Sequence, residues 1–255
     1  MCRVPLDRLS EEKFARVLCY PKYHPKELER RLCEMRLLGI KALCFIGDKK
    51  IGNLSILGKG YVGVVVSACT EMGKAALKIR RTDADRETMK HEAEMLKIAN
   101  SVSVGPKLIG FTQNLLLMEF IEGFLLPLWI ERVKGERNAV KRIREVLRSI
   151  LEQCRRLDEA GLDHGELSRA PRHIIVDNED NPWILDFEAA SNTRKVSNVT
   201  SICQFLFLKG KIADLISEAT NYTVEDKIIS FLRRYKRKRT QRNFNEILKA
   251  CGLTA

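Results

Sequence analysis

His164-Gly165-Glu166-Leu167-Ser168 and, twenty residues after Glu166, Asp186-Phe187-Glu188 decide how this chain is read. Between them lie an apolar run, His173-Ile174-Ile175-Val176, a polar turn from Asp177 to Pro182, and a second apolar run, Trp183-Ile184-Leu185. The pattern is a loop leaving a helix, then a β-hairpin whose far strand ends on a carboxylate. Two carboxylates so placed, one on a loop and one at a strand end, are candidates for a proton acceptor and a metal ligand. Glu166 stands first in that pair, so the geometry of its longer side chain becomes the central question.

The remainder of the chain can house such a site. At 255 residues, with 45% apolar and 31% charged residues, it can bury a substantial core and has the composition of a soluble globular protein. A transmembrane helix is not expected, because apolar runs are interrupted by charge. Met1-Cys2-Arg3-Val4-Pro5-Leu6-Asp7 lacks the apolar centre of a signal peptide, which points to the cytoplasm. Eight scattered cysteines without a C-x-x-C pair argue against zinc, and Cys44, Cys154 and Cys203 fall within apolar patterns that suit buried thiols. The net charge of +12 would attract nucleotide or RNA; a solvated basic surface is the alternative.

Residues 1–50 read as an N-terminal helical and hairpin extension. Ser10 is positioned to cap a short helix reaching Cys19, and Pro25 opens a second helix with Leu28, Leu32, Met35 and Leu38 on one face and Gly39 after it. Residues 42–46 and 51–57 read as strands around Gly47-Asp48. This preface either braces the next domain, the favoured view, or is a winged-helix fragment. Residues 62–68 and 75–79 form the next strands, 84–99 a helix, and 106–111 and 115–120 two further strands. Val140, Ile143, Leu147, Ile150, Cys154 and Leu157 recur at helical spacing and end at Gly161. Helices are expected over 197–218, 223–235 and 243–250.

Four further features carry chemistry. Gly58-Lys59-Gly60-Tyr61-Val62-Gly63-Val64-Val65 is a G-x-G-x-x-G-x-V run that continues as a strand, which favours a phosphate-covering hairpin over a strand-to-helix nucleotide turn. Lys78 projects from the strand Ala75-Ala76-Leu77-Lys78-Ile79, and a buried ammonium needs an anionic partner. Glu92 is the better carboxylate for it, because Met89, Leu96 and Ala99 place it toward the core side of its helix, whereas Glu94 falls elsewhere. Leu115-Leu116-Leu117-Met118-Glu119-Phe120-Ile121 is an apolar strand running into a connector, by pattern alone a core strand with a turn; its position after the glycine run and Lys78 is what suits its backbone from Glu119 to Ile121 to an adenine edge, with Met118 behind it.

In this order, the motifs resemble the protein-kinase fold, and within it the atypical RIO kinases and archaeal RIO-like serine/threonine kinases. His164-Gly165-Glu166-Leu167-Ser168 is similar to their His-Gly-Asp-Leu-Ser loop, and the absence of an Ala-Pro-Glu motif after Glu188 is shared with them. The resemblance spans roughly residues 55–215. It implies an α+β, bilobal fold with an antiparallel-sheet N-lobe over 51–121 and a helical C-lobe over 122–255. It also implies ATP with Mg²⁺, or Mn²⁺ as an alternative, and a protein hydroxyl as acceptor. Gly58, Gly60, Gly63 and Val65 would cover the nucleotide, Lys78 and Glu92 would hold its phosphates, and Met118, Glu119 and Ile121 would line the adenine. Asp186 would bind metal, and Glu166 occupies the position of the catalytic base.

Departures cluster around the metal. Glu replaces Asp at 166, Pro171 stands where an Asn ligand is usual, and His173 lies seven residues after Glu166, as though the loop were two residues longer. Imidazole is a poor Mg²⁺ ligand, so His173 is either a ligand for a softer metal, a partner of phosphate or Glu166, or a structural residue. Glu188 replaces a glycine and adds a second carboxylate near the metal. The run Arg233-Arg234-Tyr235-Lys236-Arg237-Lys238-Arg239-Thr240-Gln241-Arg242 carries seven basic residues around an aromatic, a pattern that suits RNA or ribosomal-particle contact or a solvated helix end. The arginines of the 140–157 helix would extend such a patch if they share its face. Two other functions stay open: a nucleotide-binding pseudokinase or ATPase switch on RNA-containing particles, and a small-molecule kinase of the aminoglycoside or choline type. The stretch after Glu188 is short for the substrate pocket of the latter.

Overall fold

The computed structural model describes residues 3–208 and 210–254 and divides into two units of α+β structure. The first runs to Lys97 and includes Pro106–Phe120. It opens with β1 (Arg3–Pro5), α1 (Glu12–Leu18), α2 (Pro25–Leu37) and β2 (Ile40–Cys44). A hairpin of β3 (Lys49–Ile51) and β4 (Leu54–Ile56) follows, then β5 (Gly58–Lys59), β6 (Gly63–Thr70) and β7 (Gly73–Arg80). α3 (Lys90–Ser101) as far as Lys97, β8 (Leu108–Phe111) and β9 (Leu115–Glu119) complete it. All of these strands but β3 and β4, which pair only with each other, make one antiparallel sheet in the order β1-β2-β6-β7-β9-β8, with β5 paired to β6.

The N-terminal elements are built into this sheet. β2 pairs with β1 and β6 and does not turn back on residues 51–57 across Gly47, and the hairpin instead turns at Gly52-Asn53. Ser10 does not cap α1: Glu11 precedes the helix, and the Ser10 hydroxyl turns back to the Asp7 carbonyl at 3.5 Å. Pro25 is in the first turn of α2, where a missing N–H costs nothing. Phe14, Val17 and Leu18 of α1 and Leu32 and Met35 of α2 share one core with Val64, Val66, Leu77, Ile79 and Leu117. Buried Glu34 joins α2 to the β8–β9 turn by accepting from Thr112 Oγ1 at 2.5 Å, Asn114 N at 2.9 Å and Asn114 Nδ2 at 2.6 Å. A carboxylate so surrounded by donors avoids much of the cost of burial.

Alternation along β7 separates two faces. Ala75, Leu77 and Ile79 join the core, whereas Lys78 and its cross-strand neighbour Leu116 face the other way, where Leu116 packs with Met89 and Ala93. α3 starts at Lys90, later than the helical composition from Ala84 suggests. Met89 N–H is drawn off to the Gln113 carbonyl at 2.9 Å, and Thr88 Oγ1 accepts from Lys90 N–H.

The second unit holds Ile98–Gly105 and the chain from Ile121 onward. β10 (Gly123–Leu125), α4 (Leu126–Val133) and α5 (Ala139–Glu159) precede a hairpin of β11 (Ile174–Asp177) and β12 (Pro182–Ile184). β10 pairs with β11, making a three-stranded sheet. α6 (Asn198–Cys203), α7 (Lys211–Thr220), α8 (Ile228–Arg237) and α9 (Gln241–Ala250) follow. The helix expected over 197–218 is divided. α6 passes into wider turns at Gln204–Leu208, and Gly210, at φ +101°, breaks the helical path before α7. α5 buries Ile143, Leu147, Ile150, Leu151, Cys154 and Leu157 along one stripe. Its other face carries Arg148–Glu152 and Arg155–Glu159 pairs one turn apart. Among the described residues no helix is long and apolar enough to cross a membrane, and Cys44, Cys154 and Cys203 are buried free thiols.

Candidate functional site

In the first unit the glycine run folds as a hairpin. Gly58 opposes Val65, Lys59 opposes Val64, and Gly60 N–H closes the turn on the Gly63 carbonyl at 2.9 Å. Tyr61 stands at the tip, 92% exposed. Arg81 steadies both arms, its N–H donating to the Val62 carbonyl and its guanidinium to the Gly60 carbonyl. Gly63 is required sterically: a Cβ there would lie 2.9 Å from Lys78 Cγ and 3.1 Å from the Ile79 carbonyl oxygen. Lys78 sits beneath this hairpin, directly opposite half-buried Val65. Its Nζ lies 2.9 Å from Glu92 Oε1, and both side chains are about 95% buried, at 6% and 5% exposure. Glu94 is solvent-exposed. Met118 is half-buried beside Ala76. Glu119 N–H donates to the Lys107 carbonyl, and its carboxylate accepts from Lys107 N–H, so this strand end is committed to its neighbour on the sheet edge. Ile121, half-buried, belongs to the second unit.

In the second unit, α5 ends in a Schellman turn. Gly161 is left-handed at φ +73°, and Leu162 N–H reaches the Leu157 carbonyl at 3.0 Å. The loop that follows is held from below. His164 N–H donates to Asn198 Oδ1 at 2.8 Å, and Asn198 in turn donates to the Leu162 carbonyl and to Asp158 Oδ1. Asp158 also accepts from Tyr235 Oη at 3.2 Å, and burial raises its carboxyl pKa above the ordinary 3.8. Asp163 anchors the other side, accepting from Ser197 N–H and from Arg194 Nε at 2.6 Å. Gly165, at φ +91°, passes so close to Ala189 that a Cβ would lie 2.7 Å from its carbonyl oxygen.

His164 is fully buried, tilted against Phe187 at 5.0 Å between ring centres. Its Nε2 bonds the Leu185 carbonyl at 3.0 Å, and burial pushes its pKa down to about 4, so the ring is neutral with its proton on Nε2. This bond fixes the position of Asp186, whose backbone is left-handed at φ +69°, a rare conformation for a side-chain-bearing residue.

Glu166, His173 and Asp186 come together here, each offering a ligand atom within 4.8 Å of the others. Glu166 Oε2 is 3.9 Å from His173 Nε2. Oxygens of Asp186 and Glu188 also lie within 4.8 Å of one another. Pro171 is exposed, so His173 and not the residue at 171 is brought beside the carboxylates. His173 is held by its own backbone, which donates to the Ala170 carbonyl and accepts from Leu185 N–H at 2.8 Å. The carboxylates suit a hard dication, whereas the imidazole does not, and His173 Nδ1 is buried without a hydrogen-bond partner among the described residues.

Sequence patterns point to Lys78, Glu92 and the two carboxylate motifs but miss the support beneath them. Asp158 had a legible signal, since it follows Cys154 by four residues on the apolar stripe of α5. Asn198 had none, because its partners lie 34–40 residues upstream. The basic run differs from expectation in one respect. Arg233, Arg237, Lys238 and Arg242 are exposed, but Tyr235 is 1% exposed and turned onto Asp158, so it is not a stacking platform. The α5 arginines are already engaged: Arg142 with Asp180, Arg148 with Glu152, Arg155 with Glu159, Arg156 with the Val102 carbonyl, and Arg144 over the Tyr222 ring.

A sheet lysine locked to a helix glutamate in one unit, and a helix-fed loop beside a carboxylate-tipped hairpin in the other, define a bilobal protein-kinase-like fold. The RIO domain family model matches residues 67–200, just over half the chain, and the protein belongs to that family. Its fold is the ATP-binding one of atypical protein kinases. The chain is also similar to an uncharacterised protein of Methanocaldococcus jannaschii, 30% identical over 121 residues, which is 48% of this chain and 97% of that protein.

Proposed function

We propose that this protein is an ATP- and divalent-metal-dependent phosphotransferase, a RIO-like serine/threonine protein kinase that transfers the γ-phosphate to a protein hydroxyl. The observation that carries this reading is the buried Lys78–Glu92 pair beneath the glycine hairpin. A sheet with a purely structural role gains little from a buried ion pair, because desolvation offsets most of the attraction. Phosphate binding gives the ammonium a use.

Gly58, Gly60 and Gly63 cover the phosphates, with Val65 against the nucleotide, and Lys78, oriented by Glu92, contacts the phosphates. Met118, Glu119 and Ile121 serve the adenine. Asp186 and Glu188, with His173 beside them, hold the metal, Mg²⁺ or Mn²⁺, which when bound neutralises charge on phosphate oxygens. Glu166 accepts the proton of the acceptor hydroxyl. Its half-exposed carboxylate, 41% accessible, is open to a substrate side chain.

The test is transfer of labelled γ-phosphate to a generic protein acceptor by wild type and by Lys78→Ala, Glu166→Gln and Asp186→Asn. Transfer by wild type, reduced at least a hundredfold in each variant, supports the reading. Equal background transfer by all four, with nucleotide still bound by wild type, overturns it in favour of a nucleotide-binding switch.

That second reading is favoured by the exposed cations of residues 233–242, which suit RNA phosphates. Replacing Arg233, Arg237, Lys238 and Arg242 by glutamine should flatten the salt dependence of RNA association. An unchanged slope would remove this run from any RNA interface.

A further inference from the structure

We propose that Glu166, His173 and Asp186 form a binding site for a first-row transition dication, with a ring nitrogen of His173 as a direct ligand. On this proposal Glu166 contributes one carboxylate oxygen to the metal. The site deepens the phosphotransferase reading by naming its metal class, and it rests on that reading only for the phosphate that would share the ion.

Three observations support it. The ligand atoms of the three side chains already lie within 4.8 Å of one another. Glu166 is 41% exposed, so a change of rotamer into solvent-accessible space can close the remaining distance, whereas His173 is 17% exposed and pinned through its backbone to Ala170 and Leu185. A fixed nitrogen and an adjustable carboxylate are what a short metal–ligand distance of about 2.0–2.2 Å needs. Moreover, His173 Nδ1 is buried without a partner among the described residues, so no hydrogen bond at that atom explains the ring's placement.

The donor set then selects the ion. Mg²⁺ takes oxygen ligands in near-octahedral geometry and gains little from imidazole. Mn²⁺, Fe²⁺, Co²⁺ and Zn²⁺ accept one nitrogen and two carboxylates readily. His173 therefore occupies, two positions further along the loop, the role that an asparagine oxygen would fill, and exchanges a hard donor for a borderline one. With one Glu166 oxygen on the metal, the other is left to accept the hydroxyl proton that the phosphotransferase reading assigns to this residue.

The experiment is a titration of nucleotide-free protein with Mn²⁺ followed by electron paramagnetic resonance, with pulsed detection of nitrogen coupling. Wild type should bind one Mn²⁺ at least tenfold more tightly than competing Mg²⁺ and show ¹⁴N modulation. Labelling the histidines with ¹⁵N should convert that modulation to the ¹⁵N pattern without altering the chain. His173→Asn should lose the modulation and the tenfold preference. Absence of histidine coupling in wild type, retention of it in His173→Asn, or equal competition by Mg²⁺ overturns the proposal. Binding of a fluorescent ATP analogue, measured alongside, separates the two claims. Nucleotide binding without nitrogen coordination overturns this metal site alone, and nitrogen coordination without nucleotide binding overturns the phosphotransferase reading alone.

Discussion

Replacing Glu92 by leucine takes a carboxylate from 2.9 Å beside Lys78 Nζ, where the two side chains are 5% and 6% exposed. Removing one member of so buried a pair costs about 3–5 kcal/mol, because the remaining charge has lost both water and its nearest counter-charge. For a chain of this size about 3 kcal/mol corresponds to a fall of roughly 6–12 °C in Tm. Lys78→Met should cost about as much for the converse reason. The double variant Lys78→Met/Glu92→Leu removes both charges and keeps much of the volume, so it should lie within about 1 kcal/mol of wild type. The single losses therefore should not add, and urea unfolding of the four proteins, followed by circular dichroism, measures the difference as a double-mutant cycle. Nucleotide binding should be lost in the double variant despite its recovered stability. Additive losses, or a stable double variant that still binds a fluorescent ATP analogue as wild type does, would refute the view that this pair is kept for phosphate and not for folding.

Three further outcomes follow from the loop and its support. Gly165→Ala places a Cβ at φ +91° against the Ala189 carbonyl and should cost about 2 kcal/mol or more of stability in urea unfolding, while ATP-analogue binding persists. Asn198→Ala strands the His164 N–H and the Leu162 carbonyl and should lower unfolding free energy by about 2–4 kcal/mol; a loss under 0.5 kcal/mol would show that the loop stands without it. Asp158 has a folded pKa raised above 3.8 by burial, so its favourable contribution is complete below that pH and is lost as pH rises through the raised value. Asp158→Asn should accordingly flatten that part of the stability–pH curve, and a slope identical to wild type in urea midpoints taken across it would sink the assignment.

What could be read from the chain alone was local. Period-two alternation places Lys78 on the opposite face of β7 from Leu77 and Ile79, and helical periodicity turns Glu92 inward and Glu94 outward, so the pair follows from two short segments. The α5 stripe and Gly161 likewise locate the end of the helix and hence the loop that begins at His164. Strand pairing was not legible, because the partner of β2 lies beyond an entire hairpin, and backbone pairing depends little on which side chains the strands carry. The start of α3 escaped for a related reason: residues 84–89 favour a helix, but the Gln113 carbonyl captures Met89 N–H.

The candidate site divides in the same way. Sequence by itself determined which chemistry is present: a glycine hairpin, a strand lysine, a helix glutamate, and carboxylates at 166, 186 and 188. Tertiary structure alone decided what surrounds them. It set Asn198 and Asp158 beneath the loop, turned Tyr235 inward out of the basic run, and brought His173 in place of residue 171 to Glu166 and Asp186. Those contacts join residues from 7 to 77 positions apart, and only packing and buried hydrogen bonding, which local periodicity does not encode, choose among such partners.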